Sequence, residues 1–178
     1  GNAIYAEHLL REALPLLDQT NDTELSSQFI GQYALTMLQL GRDVDGERLL
    51  ETALRRAQRM QHHQQIRQWA NVLGQRYLDK QNYPTAEQYY QAFMKYAPNP
   101  LPITEQYGTA LINMSDIARH LGHQHNALDY AQQAEAILTQ LDSASLSSQA
   151  LLTIGLAMRT NHDYDGALGY FKQAQINA

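Results

Sequence analysis

The chain has no cysteine. Disulfide frameworks, thiolate nucleophiles and cysteine-ligated metals are therefore excluded, and the composition suits a reducing compartment such as the cytoplasm. Long apolar runs are missing as well. The longest, ALLTIGLAM from Ala150, is less than half the roughly 20 residues that a membrane helix requires. The first residues do not read as a secretory signal. Catalytic signatures are absent too: there is no Gly-rich phosphate loop, no G-x-S-x-G and no H-E-x-x-H. The carboxylates are scattered, with no pair that the pattern places together in an apolar pocket. A non-enzyme without a cofactor is expected. Basic excess is also lacking, since the net charge is −5, which disfavours binding of a nucleic acid through this domain.

Charge is nonetheless uneven. Residues 1–41 carry 1 Lys/Arg against 5 Asp/Glu, residues 42–76 carry 7 against 4, and residues 77–178 carry 5 against 9. The basic middle, residues 55–67 (RRAQRMQHHQQIR), attracts an acidic partner or forms a solvated helix face.

What is present is a repeat. Ala86, Tyr90 and Phe93 lie at helical spacing and form one stripe. The same stripe recurs as Ala6, Leu10, Ala13; Gly46, Leu50, Ala53; Ala127, Ala131, Ala134; and Ala167, Phe171, Ala174. Its lead residues are 6, 46, 86, 127 and 167, so the steps are 40, 40, 41 and 40. Before each of the last four stripes runs a second helical pattern, in which a large residue precedes a small one. These are Tyr33-Ala34-Met37, Leu73-Gly74-Tyr77, Met114-Ser115-Ala118 and Ile154-Gly155-Met158. Short turns join the two patterns at 40–43, 79–83, 121–124 and 160–164. Asp43 and Asp163 are expected as helix N-caps, and Pro84 suits a first helical turn. The unit is a helical hairpin whose Ala or Gly lets two helices approach, with a large side chain of the partner filling the space. One hairpin cannot bury its apolar face alone, so neighbours stack.

Leu73, Gly74, Tyr77, Ala86, Tyr90 and Pro98 together resemble the tetratricopeptide repeat pattern, W-x2-L-G-x2-Y…A-x3-F…P. Trp69 stands one residue before the expected Trp place, and Phe93 stands where the family has a small residue. The period of about forty is similar to the long-repeat variant of bacterial regulatory proteins and kinesin light chain. The resemblance implies an all-α, right-handed superhelical solenoid of antiparallel hairpins with about nine helices, or four and a half repeats. The first helix is expected over 3–18, with Pro15 kinking or ending it. Residues 1–178 read as a single repeat domain and as a fragment of a longer protein.

The resemblance also implies a concave groove lined by first helices. Its places fall on Gln28, Gly31, Leu35 and Leu38; Gln68, Asn71, Gln75 and Leu78; Thr109, Ile112, Asn113, Asp116 and Arg119; and Gln149, Leu152, Leu156 and Arg159. The lysines of the family's carboxylate clamp are absent from these places. Asn71, Gln75 and Asn113 are candidates to fix an extended peptide backbone through their amides, with Arg119 or Arg159 taking an acidic group. This reading makes the chain a protein- or peptide-binding domain of a bacterial regulatory protein, read out through solenoid curvature. The alternative is an assembly scaffold or homodimer. It docks through the last helix, with Leu168, Tyr170, Phe171 and Ile176 spread around it, or through the basic segment. His120, His123 and His125 straddle one turn but read as polar turn residues, so no metal is expected.

Overall fold

The computed structural model describes residues 8–9, 11–12, 23–141 and 143–177. Among them lie eight helices and no strand: α1 (Thr23–Gln39), α2 (Asp43–Arg59), α3 (His63–Asp79), α4 (Tyr83–Lys95), α5 (Glu105–His120), α6 (Gln124–Leu138), α7 (Ala144–Thr160) and α8 (Tyr164–Asn177). The expected helix over 3–18, with its Ala6-Leu10-Ala13 stripe and Pro15, lies for the most part outside the described residues. No described helix is long and apolar enough to cross a membrane. The chain divides into two compact units. One holds residues 1–73 and 91–97, the other 74–90 and 98–178.

A single turn geometry explains why the helices stop where they do. After α1, α2, α3, α5 and α7 comes a left-handed residue: Gly41, Gln61, Gln81, Gly122 and His162, with φ of 75°, 56°, 58°, 78° and 64°. In each case that residue's N–H donates three back, to Leu38, Gln58, Leu78, Arg119 or Arg159. The next N–H donates five back, to Met37, Ala57, Tyr77, Ala118 or Met158. This double closure satisfies the carbonyls that a helix end leaves without partners. The residue after the turn also opens the next helix, because the carbonyls of Arg42, His62, Asn82, His123 and Asp163 accept its first bond. Asp163 is the side-chain cap that the sequence predicts, accepting from the Gly166 N–H at 2.9 Å. Asp43 is not. Arg42 holds the N-cap position without a side-chain cap bond, and Asp43 lies in the first turn, where its charge favours the helix dipole. Pro84 falls in the first turn of α4. The longer connection after α4 contains a cis Asn99–Pro100 bond.

In the first unit, α1 packs on α2 through the expected small residues. Gly46 sits so close to α1 that a Cβ there would lie 3.1 Å from the Ala34 carbonyl and 2.6 Å from Leu38. Leu50, Ala53, Ile66, Trp69, Leu73 and Phe93 are fully buried in this unit. Trp69, displaced from the family's place, fills the space left by Gly31, where a Cβ would meet the indole at 2.2 Å. The start of α3 meets the end of α4: Arg67 Nη1 donates to the Tyr96 carbonyl at 2.8 Å, and His63 and Tyr96 rings lie 5.0 Å apart.

In the second unit, the end of α3 meets the start of α4. Tyr90 covers Gly74, and Tyr77 stacks on Tyr89 at 5.4 Å. The α5/α6 and α7/α8 hairpins follow, and α6 packs on α7. Leu138 fills the space at Gly108, and Phe171 the space at Gly155. Ala118, Ala127, Ala131, Ile154 and Ala157 form a buried cluster with Leu128, Tyr130, Met158 and Tyr170 against it. Buried hydroxyls tie first helices to second ones. Ser115 Oγ donates to the Ala127 carbonyl at 2.7 Å, and Ser148 Oγ to that of Ala174. Ser27, at the same repeat place as Ser148, donates to Ala53 in the first unit at 2.9 Å. Each such bond satisfies a buried carbonyl lone pair and fixes the register of its hairpin.

Candidate functional site

Within the second unit, α5 and α7 are the first helices of consecutive hairpins and touch each other. Residues at helical spacing turn one stripe of each toward a shared cleft. The cleft has a volume of about 270 Å3. From α5 it is lined by Ile112, Asn113, Ser115, Asp116 and Arg119, and from α7 by Gln149, Leu152, Thr153 and Leu156. Most of the expected groove places of these two helices therefore do converge. Leu152 is 45% exposed there, a large apolar side chain left in contact with water.

Two polar networks flank the cleft. In the first, Asn113 Nδ2 donates to Tyr90 Oη at 2.7 Å and to Gln75 Oε1 at 2.9 Å. Tyr90 Oη donates to the same Gln75 oxygen at 3.3 Å, and Gln75 Nε2 donates to Asp79 Oδ1 at 2.8 Å. The amides of Gln75 and Asn113, expected to await a ligand, are thus largely joined to one another. Burial pushes the Tyr90 phenol up to about 12, opposed by the Asn113 hydrogen bond and assisted by the Asp79 charge. Tyr90 is the member that the pattern does not single out. Its one signal is a tyrosine in the family's Phe place, which adds a hydroxyl to a packing residue.

In the second network Arg119 Nη2 pairs with Asp116 Oδ1, and His120 Nε2 lies 3.6 Å from the same oxygen. Arg119 Nη2 and His120 Nε2 are 2.9 Å apart, and the His120 ring stacks on Tyr83 at 4.2 Å and 7°. Arg119, expected to take a ligand's acidic group, therefore already has a carboxylate partner in its own helix. Arg159 is exposed in the last turn of α7 and does not line the cleft.

Gln68 and Asn71 lie half-buried on α3 in the first unit. The four candidate residues of α8 separate into two pairs. Leu168 is 52% and Ile176 82% exposed. Tyr170 packs against the buried cluster of the second unit, and the Phe171 ring covers Gly155, so these two half-buried side chains contribute to packing within the unit. The basic segment is also largely engaged. Arg55 lies 3.9 Å from Glu51, Arg56 donates to Ser26, and Arg67 holds the Tyr96 carbonyl. His123 lies 3.6 Å from Glu87, away from the Asp116 that His120 faces. Among the described residues no three His, Asp or Glu side chains are placed to share a metal ion.

No family profile and no curated protein sequence matches the chain. Solved structures do. BtubC (BKLC) from P. vanneervenii superposes with a TM-score of 0.83 at 18% identity, over 99% of this chain and 73% of that one. Apo RapI gives 0.81 at 15% identity, over 99% of this chain and 49% of its own. The Podosopora anserina putative kinesin light chain, with nearly identical TPR-like repeats, gives 0.77 at 14% identity, over 98% of this chain and 86% of that one. The fold is therefore the tetratricopeptide-like helical repeat that the resemblance implies. The chain spans about half the length of RapI.

Proposed function

We propose that the chain is a protein-interaction module that holds an extended peptide segment against the α5–α7 face. The observation that carries this reading is the open cleft between two first helices, lined by apolar Ile112, Leu152 and Leu156 together with the amides of Asn113 and Gln149. Gln149 makes no side-chain hydrogen bond among the described residues, and the Asn113 amide uses its N–H groups internally, which leaves its carbonyl oxygen as acceptor. A peptide backbone offers both a donor and an acceptor at every residue, so two such side chains are matched to it. The wider role we assign is regulatory: small changes at successive hairpin interfaces bias the repeat array between conformations when the peptide binds.

Selection of peptides from a phage-displayed decapeptide library tests the reading. The selected peptides should bind the wild-type chain and lose at least fivefold in affinity when Asn113→Ala and Gln149→Ala are combined. Indifference to that pair, in a variant whose far-ultraviolet circular dichroism is unchanged, sinks the reading.

A second reading is favoured by one observation. Leu128 of α6 packs on the cluster that includes Ile154 and Ala157 of α7, whereas Leu168, at the same repeat place on α8, is 52% exposed. On that reading α8 docks a partner helix or a second copy. Sedimentation that shows a concentration-dependent dimer, dissolved by Leu168→Glu, would favour it over the cleft.

A further inference from the structure

We infer that the α5–α7 cleft accepts one neutral apolar side chain of about leucine size from the bound peptide, and that Leu152 and Leu156 set this preference. The inference rests on the peptide reading above and names the chemistry that the cleft selects. At about 270 Å3 the space lies at the small end of the roughly 300–1,000 Å3 typical of ligand pockets, and it has room for a leucine-sized side chain.

The choice of an apolar group follows from which lining atoms folding has already satisfied. Ser115 Oγ donates to Ala127, and Thr153 Oγ1 donates to the Gln149 carbonyl at 2.8 Å. Asp116 and Arg119 neutralise each other. A ligand carboxylate would have to compete with Asp116 for Arg119 while lying beside a like charge, and a ligand ammonium would have to compete with Arg119 for Asp116 beside a like charge of its own. Apart from the Gln149 amide and the Asn113 carbonyl oxygen, which serve the backbone, what folding leaves to water is hydrocarbon: Leu152 at 45% exposure, with half-buried Leu156 and buried Ile112 beside it. Removing that surface from water favours an apolar guest. The arrangement divides the work, with Asn113 and Gln149 holding backbone irrespective of sequence and the leucines reading one side chain.

The test uses the peptides enriched from the displayed decapeptide library and the intact chain. The enriched peptides should share Leu, Ile or Met at one position. Replacing that residue by Ala should weaken binding to the wild-type chain about tenfold, the scale of burying one such side chain. The same replacement should cost less than twofold against Leu152→Ser, a substitution at an exposed site that leaves the fold intact by circular dichroism. Methyl resonances of Leu152 and Leu156 should shift on titration. A shared Asp or Glu that depends on Arg119 overturns the inference. Peptides that respond to Asn113→Ala with Gln149→Ala but not to Leu152→Ser overturn it while leaving the peptide reading in place. If no peptide is enriched, the peptide reading fails and this inference fails with it.

Discussion

Gly31→Ala adds one methyl group at a place where the structure has no room for it. An ideal Cβ at Gly31 would lie 2.2, 2.3 and 2.5 Å from Cζ2, Cη2 and Cε2 of Trp69. The indole is rigid and fully buried, so it has no flexible end to move aside. Two effects oppose each other. Alanine in a helix interior is favoured over glycine by about 1 kcal/mol. Overpacking a close-packed site costs about 1–3 kcal/mol, and contact with a ring rather than a chain end places this case near the upper limit. The net expectation is a destabilisation of about 1–2 kcal/mol, or a Tm lower by about 2–8 °C for a chain of this length. Trp69 is the only tryptophan, so its fluorescence reports the same event that calorimetry measures. Gly169→Ala is the control, because nothing lies within 4 Å of a Cβ there and the change should raise stability by about 0.5–1 kcal/mol. A Gly31→Ala variant as stable as wild type would show that Trp69 does not close on α1.

Three other outcomes are expected. Ser115→Ala should cost about 1 kcal/mol in urea denaturation, since it removes a buried donor to the Ala127 carbonyl; a neutral result would place that hydroxyl elsewhere. Tyr90 should titrate late in an ultraviolet alkaline titration, near 12. Its folded value lies above the unfolded one near 10, so the stability it confers is complete below pH 10 and is lost as pH rises from 10 to 12, by roughly 2–3 kcal/mol. Tyr90→Phe should flatten that part of the stability profile, and an unchanged profile would contradict the burial of the Tyr90 phenol. Phe171→Ala should lower stability by about 1–3 kcal/mol, because the ring fills the space over Gly155; a fall in self-association with unchanged stability would return this residue to an outward surface.

The architecture was legible because close helix crossings impose small residues, and small residues at a fixed interval survive changes in everything around them. Gly46, Ala86, Ala127 and Ala167 are all buried, as the spacing predicts. The turns were only partly legible. Gly41 and Gly122 announce a left-handed residue, but Gln61, Gln81 and His162 adopt the same conformation without a glycine, which strand and helix patterns cannot reveal. Trp69 looked misplaced in its own repeat because the space that it fills belongs to Gly31 on a different helix. The candidate site was legible as a set of helix faces and not as chemistry. Periodicity puts Asn113, Asp116 and Arg119 on one side of α5, yet it cannot say that Asn113 is bound to Tyr90 and Gln75, or that Arg119 is bound to Asp116. The first pairing depends on side-chain reach between helices and the second on the rotamers of two neighbours within α5, and together they move the emphasis from the charged residues to Leu152 and Leu156.

A crystal structure of the chain with one enriched peptide addresses the functional account most directly. The account predicts an extended backbone lying along α5 and α7, with an apolar side chain between Ile112, Leu152 and Leu156. A peptide seated instead as a helix on the outer face of α8, over Leu168 and Ile176, would contradict it.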